Sequence, residues 1–454
     1  MKMIIDGKAV DSSDGKVLNV LNPATGEVID TVPLATEDDV NKAVSCAKEA
    51  QKIWAKVPVY EKVEILKKFI NLVLENKEDL ARTLSNETGK PIKEARAEIA
   101  NIPIAFDAFS EKAKHLYGTV VPAGLEAGQD KNILFTQMEP IGVVACVIPF
   151  NFPCDLYDQK VAPALLAGNA AIVKPSTDNP LTLCKLTELM VKAGVTPGAI
   201  QIITGRGSSV GSWLCSNPDV HLVTLTGSTE VGIETAKACA DNLTHVALEL
   251  GGNDAFIVLE DADIDLATDE LLWGRMYNTG QVCCASKRFL VHKNVASEFA
   301  KKAVEKISAI KAGMPSDEDS ELGCLISERA AIKVEDQVNL TVSQGGKVIL
   351  GGNRNGAFYD PTVIIDVPKT ADVAIDMEIF GPVVPIITFD TIEEAIEIAN
   401  SSKFGLCGCV FSQNMKNAFY VANALECGGS VINGASFFRS FEMPFGGYKF
   451  SGIG

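Results

Sequence analysis

The chain is 454 residues long, 47% hydrophobic and carries a formal net charge of −17; at roughly 100–200 residues per domain this predicts two or three domains with well-filled cores. A negative average field repels phosphate backbones and anionic bilayers, which argues against nucleic acid and membrane as partners but leaves room for a local positive pocket that holds an anionic cofactor. The opening Met1-Lys2-Met3-Ile4-Ile5-Asp6-Gly7 has no apolar signal-peptide core and no apolar run reaches bilayer length, so a cytoplasmic protein is expected.

The first third reads as helical. After a Thr36-Glu37-Asp38-Asp39 start, Val40, Ala43, Val44 and Ala47 keep one face apolar, and Ile65, Leu66, Phe69, Ile70 and Val73 repeat the pattern. The stretch 118–132 mixes Gly, Pro and charge without helical period, which predicts a loop or an exposed hairpin. Short apolar runs then follow at 143–148, 170–173, 200–203 and 222–225, separated by helical segments; a second series comes at 255–259, 288–291, 383–387 and 429–432. Alternating strands and helices imply parallel sheets, hence two α/β units.

Several loops carry residue types with chemical potential. Gly205-Arg206-Gly207-Ser208-Ser209-Val210-Gly211 and Gly227-Ser228-Thr229-Glu230-Val231-Gly232 follow strands and lead into helices, where glycine lets the backbone approach a phosphate and helix N–H groups bind it. An ordinary tight turn accounts for either loop equally well, since neither has the Gly-x-Gly-x-x-Gly spacing. Lys174 ends a buried run just before Pro175, placed to meet a ribose or phosphate or simply to be solvated. Asn278-Thr279-Gly280-Gln281-Val282-Cys283-Cys284 sets two thiols at what reads as a loop-to-helix transition, where helix N–H groups would favour a thiolate; a pair of core cysteines is the alternative. Glu249 in Leu248-Glu249-Leu250-Gly251-Gly252 is a carboxylate in an apolar strand, suited by burial to general-base work or satisfied locally by N–H groups. The other cysteines among the twelve lie in apolar contexts that fit a reducing compartment; with four histidines, His115, His221, His245 and His292, and no Cys-x-x-Cys, no metal site is expected.

In order along the chain, Pro149-Phe150-Asn151-Phe152-Pro153, Lys174-Pro175-Ser176, Thr226-Gly227-Ser228-Thr229-Glu230-Val231-Gly232, Glu249-Leu250-Gly251-Gly252, Gly280-Gln281-Val282-Cys283, Glu378-Ile379-Phe380-Gly381-Pro382 and Pro444-Phe445-Gly446-Gly447 each match a signature of the aldehyde dehydrogenase superfamily. The chain resembles that family over nearly its whole length, including the 34-residue interval between Glu249 and Cys283. The resemblance implies an α/β aldehyde dehydrogenase fold: a Rossmann-like cofactor domain over 1–117 and 139–248, a second α/β catalytic domain over 249–428, and a small oligomerisation flap with the C-terminal segment over 118–138 and 429–454. A homodimer or homotetramer is implied with it.

By the same resemblance Cys283 attacks the aldehyde, the Asn151 amide and the Cys283 N–H hold the oxyanion, hydride leaves to a nicotinamide, and Glu249 activates the water that hydrolyses the thioester. Cys284 is then a bystander. Lys174, Ser176 and Thr177 are implied at the adenosine ribose, Gly207, Gly211, Gly227, Ser228 and Val231 around the adenosine and pyrophosphate, and Glu378 with Phe380 at the nicotinamide ribose. Relatives that prefer NAD often carry a glutamate where this chain has Thr177, so NADP is favoured and NAD stays open. The segment 433–444 resembles the branch acting on lactaldehyde, glycolaldehyde and sulfonated or phosphonated aldehydes, and 280–289 resembles some succinate-semialdehyde dehydrogenases. Arg439 is then placed to pair with a distal anion, or forms a surface ion pair with Glu442, and Phe152 is implied beside the substrate.

Departures from the pattern are Asn253 in place of a common lysine, Phe150 in place of a common tryptophan, and an end at Gly454 where relatives continue into an acidic residue and a terminal strand. That strand commonly helps assemble the oligomer and supports the glutamate, so the short end is expected to bear on assembly and activity. Three rival readings share these residues: a CoA-acylating dehydrogenase, whose members generally lack the glutamate; a cysteine hydrolase, which would leave the nucleotide loops unused; and a non-catalytic binding protein, at odds with the three bond-making groups.

Overall fold

A computed structural model describes residues 1–438 and 440–454. The first long helix, Glu37–Trp54, begins with a capping box in which the Thr36 hydroxyl accepts from Asp39 N at 3.3 Å and the Asp39 carboxylate accepts from Thr36 N at 2.9 Å. Its apolar stripe, Val40, Ala43, Val44 and Ala47, is fully buried, as are Leu66, Phe69 and Val73 of the next helix, Val59–Glu75. Both expected faces therefore pack inward.

Among the described residues the first sheet has eight strands, in the spatial order Lys8–Val10, Met3–Ile5, Ile200–Ile202, Ala170–Lys174, Val143–Val147, Leu222–Thr226, His245–Glu249 and Gly452–Ile453. The five inner strands are parallel; the amino-terminal hairpin and the short Gly452–Ile453 strand pair antiparallel at its two edges. Side chains alternate between two cores: Val144, Cys146, Ala171 and Val173 face one, and Val143, Ala145, Ala170 and Ile172 face the other. A strand buried on both faces must read as a continuous apolar run, which is why the sequence shows no polar alternation here.

The second sheet has seven strands, Lys347–Leu350, Thr362–Ile365, Val383–Phe389, Ser286–His292, Asp254–Val258, Cys407–Phe411 and Gly429–Ile432, all parallel except the first. It is likewise sandwiched, with Ile257, Leu290 and Ile387 on one face and Phe256, Phe289 and Phe411 on the other. One boundary needs correction: Gly429–Ile432, grouped above with the flap, is hydrogen-bonded to Cys407–Phe411 as an edge strand of this sheet. Its short apolar run cannot be assigned to sheet or flap without the partner strand in view. The stretch 118–132 forms part of an exposed hairpin, Val120–Val121 against Leu134–Phe135.

In the first sheet the chain moves one way from Val143–Val147 and the other way from Leu222–Thr226, so a switch point lies between these neighbours. Crevices at the carboxyl ends of strands at such a point bind ligands. Against that edge come the segments that enter the second sheet, just before Asp254, Ser286, Val383 and Cys407. The site is therefore built where carboxyl ends of one sheet meet amino ends of the other.

Candidate active site

Asn151 follows the strand Val143–Val147 and precedes the helix Pro153–Leu166, whose first-turn proline starts it sharply. The side chain is buried, and its Nδ2 donates to Gln281 O at 3.1 Å. Its own carbonyl accepts from Lys90 Nζ at 3.0 Å and from Asn278 Nδ2 at 2.8 Å. Residues 151 and 278–283 thus form one hydrogen-bonded unit that brings the amide to the Cys283 turn.

That turn differs from expectation. Cys283 lies not at a helix start but in a turn between the single 3-10 turn Tyr277–Gly280 and the strand Ser286–His292. Asn278 and Thr279 sit at φ of 49° and 54° and Gly280 at 75°, three successive left-handed residues that end any helix. Asn278 tolerates this because its N–H is taken by Glu94 Oε2 at 2.9 Å. Gly280 is required for space as well, since a Cβ there would lie 2.3 Å from the Gly381 carbonyl, and this locks the cysteine motif to the Glu378–Pro382 motif. In place of a helix start, the Cys283 turn meets a buried cation, Lys287, at its backbone carbonyl.

The Lys287 side chain is 1% exposed, donates to the Cys283 carbonyl and forms a 3.1 Å ion pair with Glu378. Glu378 also accepts from Gly252 N at 3.3 Å, so the ammonium ties together the Glu249–Gly252, Cys283 and Glu378 motifs. A buried ammonium on the carbonyl of the nucleophile's own residue favours the thiolate over the thiol. Lys287→Met should therefore move the pH midpoint of Cys283 alkylation up; an unmoved midpoint would leave the lysine a purely structural tie.

Glu249 ends the strand His245–Glu249, half-buried, with its carbonyl accepting from Gly227 N at 3.0 Å and its backbone paired to Gly452. The carboxylate points at the 444–447 segment: a Cβ added to Gly446 would lie 3.6 Å from Oε1. On the same floor Lys160 donates to Thr224 Oγ1 at 3.0 Å; burial pulls its ammonium down to about 8, and the Glu249 charge opposes that fall. Phe152 is buried and joins Trp273, Tyr277 and Phe437 in an aromatic wall, with Phe152 and Tyr277 stacked at 5.8 Å and Trp273 tilted against Phe437 at 5.0 Å. Arg439, two residues beyond Phe437, lies outside the described residues.

The groups assigned to a nucleotide converge on the switch point. Lys174 ends its strand buried, and desolvation pulls its ammonium down to about 8, so an anionic or hydroxylic partner would be welcome. The Gly207 loop passes close to that ammonium: a Cβ there would sit 3.9 Å from Nζ, in ordinary contact. Ser176 Oγ accepts from Asp178 N at 3.2 Å, turning Thr177 toward a cavity of about 700 Å³ that Arg206, Gly207, Ser208 and Arg329 also line. Gly207 to Gly211 form one π-helical turn, and Ser228 caps the helix Thr229–Ala240 by accepting from Val231 N at 3.4 Å, leaving an N-terminus for a pyrophosphate. Phe380 meets Phe150 edge to face at 6.0 Å, beside Glu378. These residues fit a nicotinamide dinucleotide, which when bound supplies a hydride acceptor. Among the described residues no cluster of His, Cys, Asp or Glu could hold a metal ion, and no helix is long and apolar enough to cross a membrane.

Two facing α/β sheets, a nucleotide crevice at a switch point and a partly exposed cysteine beside a buried carboxamide define a cofactor-dependent enzyme with a thiol nucleophile. A profile of the aldehyde dehydrogenase family matches residues 9–454, and the chain belongs to that family: it is an NAD(P)-dependent oxidoreductase acting on aldehydes. It is 38% identical over 451 residues to the glutarate-semialdehyde dehydrogenase of Pseudomonas putida, covering 99% of this chain and 93% of that one. It is 40% identical over 437 residues to the 3-sulfolactaldehyde dehydrogenase of Priestia aryabhattai, covering 96% and 91%. An E. coli NADP-dependent enzyme of known crystal structure superposes with a TM-score of 0.96 at 36% identity, over 100% of this chain and 94% of that chain.

Sequence reasoning did not single out Lys90, Glu94, Glu98, Lys287, Trp273 or Tyr277. Only the aromatic pair had a usable signal, since two large rings four residues apart share a helix face. Lys287 stands among site residues in a segment already matched, but nothing local marks which lysine is buried.

Proposed function

We propose that the protein oxidises a short aldehyde bearing an anionic or hydroxylated distal group, such as succinate semialdehyde, lactaldehyde, glycolaldehyde or a sulfo- or phospho-substituted aldehyde, to the carboxylic acid, with NADP preferred. The observation that carries the reaction is the bond from the Asn151 amide to the turn of Cys283. The thiolate of Cys283 adds to the aldehyde carbon, and the oxygen that becomes an alkoxide is received by the second N–H of Asn151 and the Cys283 N–H. Loss of hydride from that carbon leaves a thioester on Cys283. Water, deprotonated by Glu249, then breaks the C–S bond, releasing the acid and the free thiolate. In this reading the first sheet holds the cofactor, the second carries the nucleophile, and the exposed apolar residues of the arm, Val120, Ile133 and Phe135, meet a second copy in the cytoplasm.

The anionic substrate rests on Arg439 in the sequence and on two relatives whose names specify aldehydes bearing a carboxylate and a sulfonate. The NADP preference rests on Thr177 together with Arg206 and Arg329: the two guanidinium groups line one cavity with Thr177, and neither has an ion-pair partner within 4 Å among the described residues. A 2′-phosphate dianion there would meet cations from both sheets' units, and the adjacent Asp178 carboxyl is pushed up by burial, with Arg329 and Lys174 pulling it back down.

The test is reduced-nicotinamide formation with NAD and NADP in parallel against glycolaldehyde, lactaldehyde, succinate semialdehyde and a sulfonated short aldehyde. We expect anionic aldehydes to have kcat/KM at least about tenfold above neutral ones, a preference that Arg439→Ala removes, because a charged hydrogen bond is worth about 1.5–3 kcal/mol. Arg206→Gln with Arg329→Gln should raise the KM for NADP and leave that for NAD. Neutral aldehydes winning, or equal use of both cofactors, would defeat the respective halves of the reading.

A further inference from the structure

The turn that carries the oxyanion donor is gripped from below by a buried ion pair to which no role has been given. Lys90 and Glu98 are 1% and 0% exposed at their side chains and bond directly to each other. Beyond that bond, Lys90 Nζ donates to Asn151 O at 3.0 Å and lies 4.3 Å from the centre of the Phe152 ring. Glu98 Oε1 accepts from Cys154 N at 2.8 Å. The pair therefore holds both ends of the 151–154 turn, the cation at the carbonyl end and the anion at the amide end.

One helical turn before Glu98, on the same face of the helix Ile92–Ala113, Glu94 accepts from Asn278 N at 2.9 Å and fixes the left-handed residue that opens the nucleophile's turn. A single helix thus sets two loops against each other, one bearing the amide and one the thiol.

We propose that Lys90 and Glu98 are a positioning pair that sets the Asn151 amide against the Cys283 turn, and that turnover depends on it. The proposal rests on the reading that Asn151 and Cys283 act on the aldehyde. Stability alone does not account for the pair, because a buried ion pair commonly adds no more than an apolar pair of the same volume. Its three contacts fall on the one turn whose position decides whether a developing alkoxide meets its donor. A preorganised donor acts only over a narrow range of position, and losing one costs about 10²–10³ in rate. Asn278 Nδ2 also holds Asn151 O, so part of the alignment survives without Lys90.

The experiment uses Lys90→Met with Glu98→Gln, which removes both charges together, so that the Glu98 carboxylate is not left buried without its cation. We expect the double variant to melt near the wild type and to keep its KM for cofactor, with kcat down about 10–100-fold. Alkylation of Cys283 by iodoacetamide should stay at the wild-type rate, since that reaction forms no oxyanion. The single Lys90→Met variant should lose more stability than the double. A double variant that turns over within twofold of an active wild type overturns the proposal alone. Alkylation and kcat falling together also overturn it, by showing general distortion. A wild type silent toward every aldehyde removes the reading beneath it as well.

Discussion

Replacing Cys283 by serine is expected to stop aldehyde oxidation, with steady-state reduced-nicotinamide formation down by at least about 10⁴-fold while cofactor binding persists. The hydroxyl has the same reach, but it remains un-ionised near neutrality and makes a poorer nucleophile and leaving group than a thiolate. Cys284 offers no substitute, being 4% exposed, whereas Cys283 is partly open. The same contrast makes the check specific. Of the twelve cysteines only Cys46, Cys283 and Cys427 are not buried, and burial pushes the Cys46 and Cys427 thiols up, away from reactivity. Brief iodoacetamide treatment followed by peptide mass mapping should therefore mark Cys283 first and abolish activity in step with labelling. Serine at 283 with more than a few percent of wild-type turnover would move the nucleophile elsewhere.

What could be read before the structure was whatever depends on residues near in sequence. The parallel strands announced themselves because two-sided burial leaves continuous apolar runs, and the family resemblance carried by the ordered motifs implied a site drawing on Asn151, Glu249, Cys283 and Glu378. The Cys283 turn was misread as a helix start because Asn278 and Thr279 adopt left-handed backbone that their side chains do not advertise; it is held by Glu94, 184 residues away. Lys90 and Glu98 were invisible for the same reason. Lys90 lies in the loop just before the helix Ile92–Ala113 and Glu98 on that helix, positions where a charged residue ordinarily meets water, and only the helix Pro153–Leu166 and the turn before it packing against them buries both. The edge strand Gly429–Ile432 shows the complementary limit, where a run was recognised as a strand but its sheet could not be known until its partner was.

The fold also separates the two halves of the proposed reaction. Asn151 and Cys283 are bound into one rigid unit, while Glu249 reaches the site from the edge of the first sheet with its carboxylate toward the 444–447 segment and Gly454. Changing the second group should leave the chemistry of the first intact.

Glu249→Gln is accordingly expected to give a stoichiometric burst of reduced nicotinamide at close to the wild-type rate, followed by a steady state slower by about 10²–10³-fold. Glutamine keeps the size and the hydrogen-bonding reach but cannot take a proton from water, so acylation of Cys283 proceeds and the thioester waits. Lys160 does not replace the base: its ammonium, drawn down by burial to about 8, donates to Thr224 Oγ1. Hydroxylamine, a nucleophile that needs no base, should restore turnover to the variant and yield the hydroxamate. The same variant separates hydrolysis from acyl transfer to a thiol. If the enzyme passed its acyl group to CoA, wild type and Glu249→Gln would respond alike to added CoA and both would make the acyl-CoA. We expect the wild type to form the free acid at the same rate with or without CoA, because the base proposed at Glu249 commits the thioester to water. Burst-free kinetics with an undiminished steady state in the variant would show that another group activates the water.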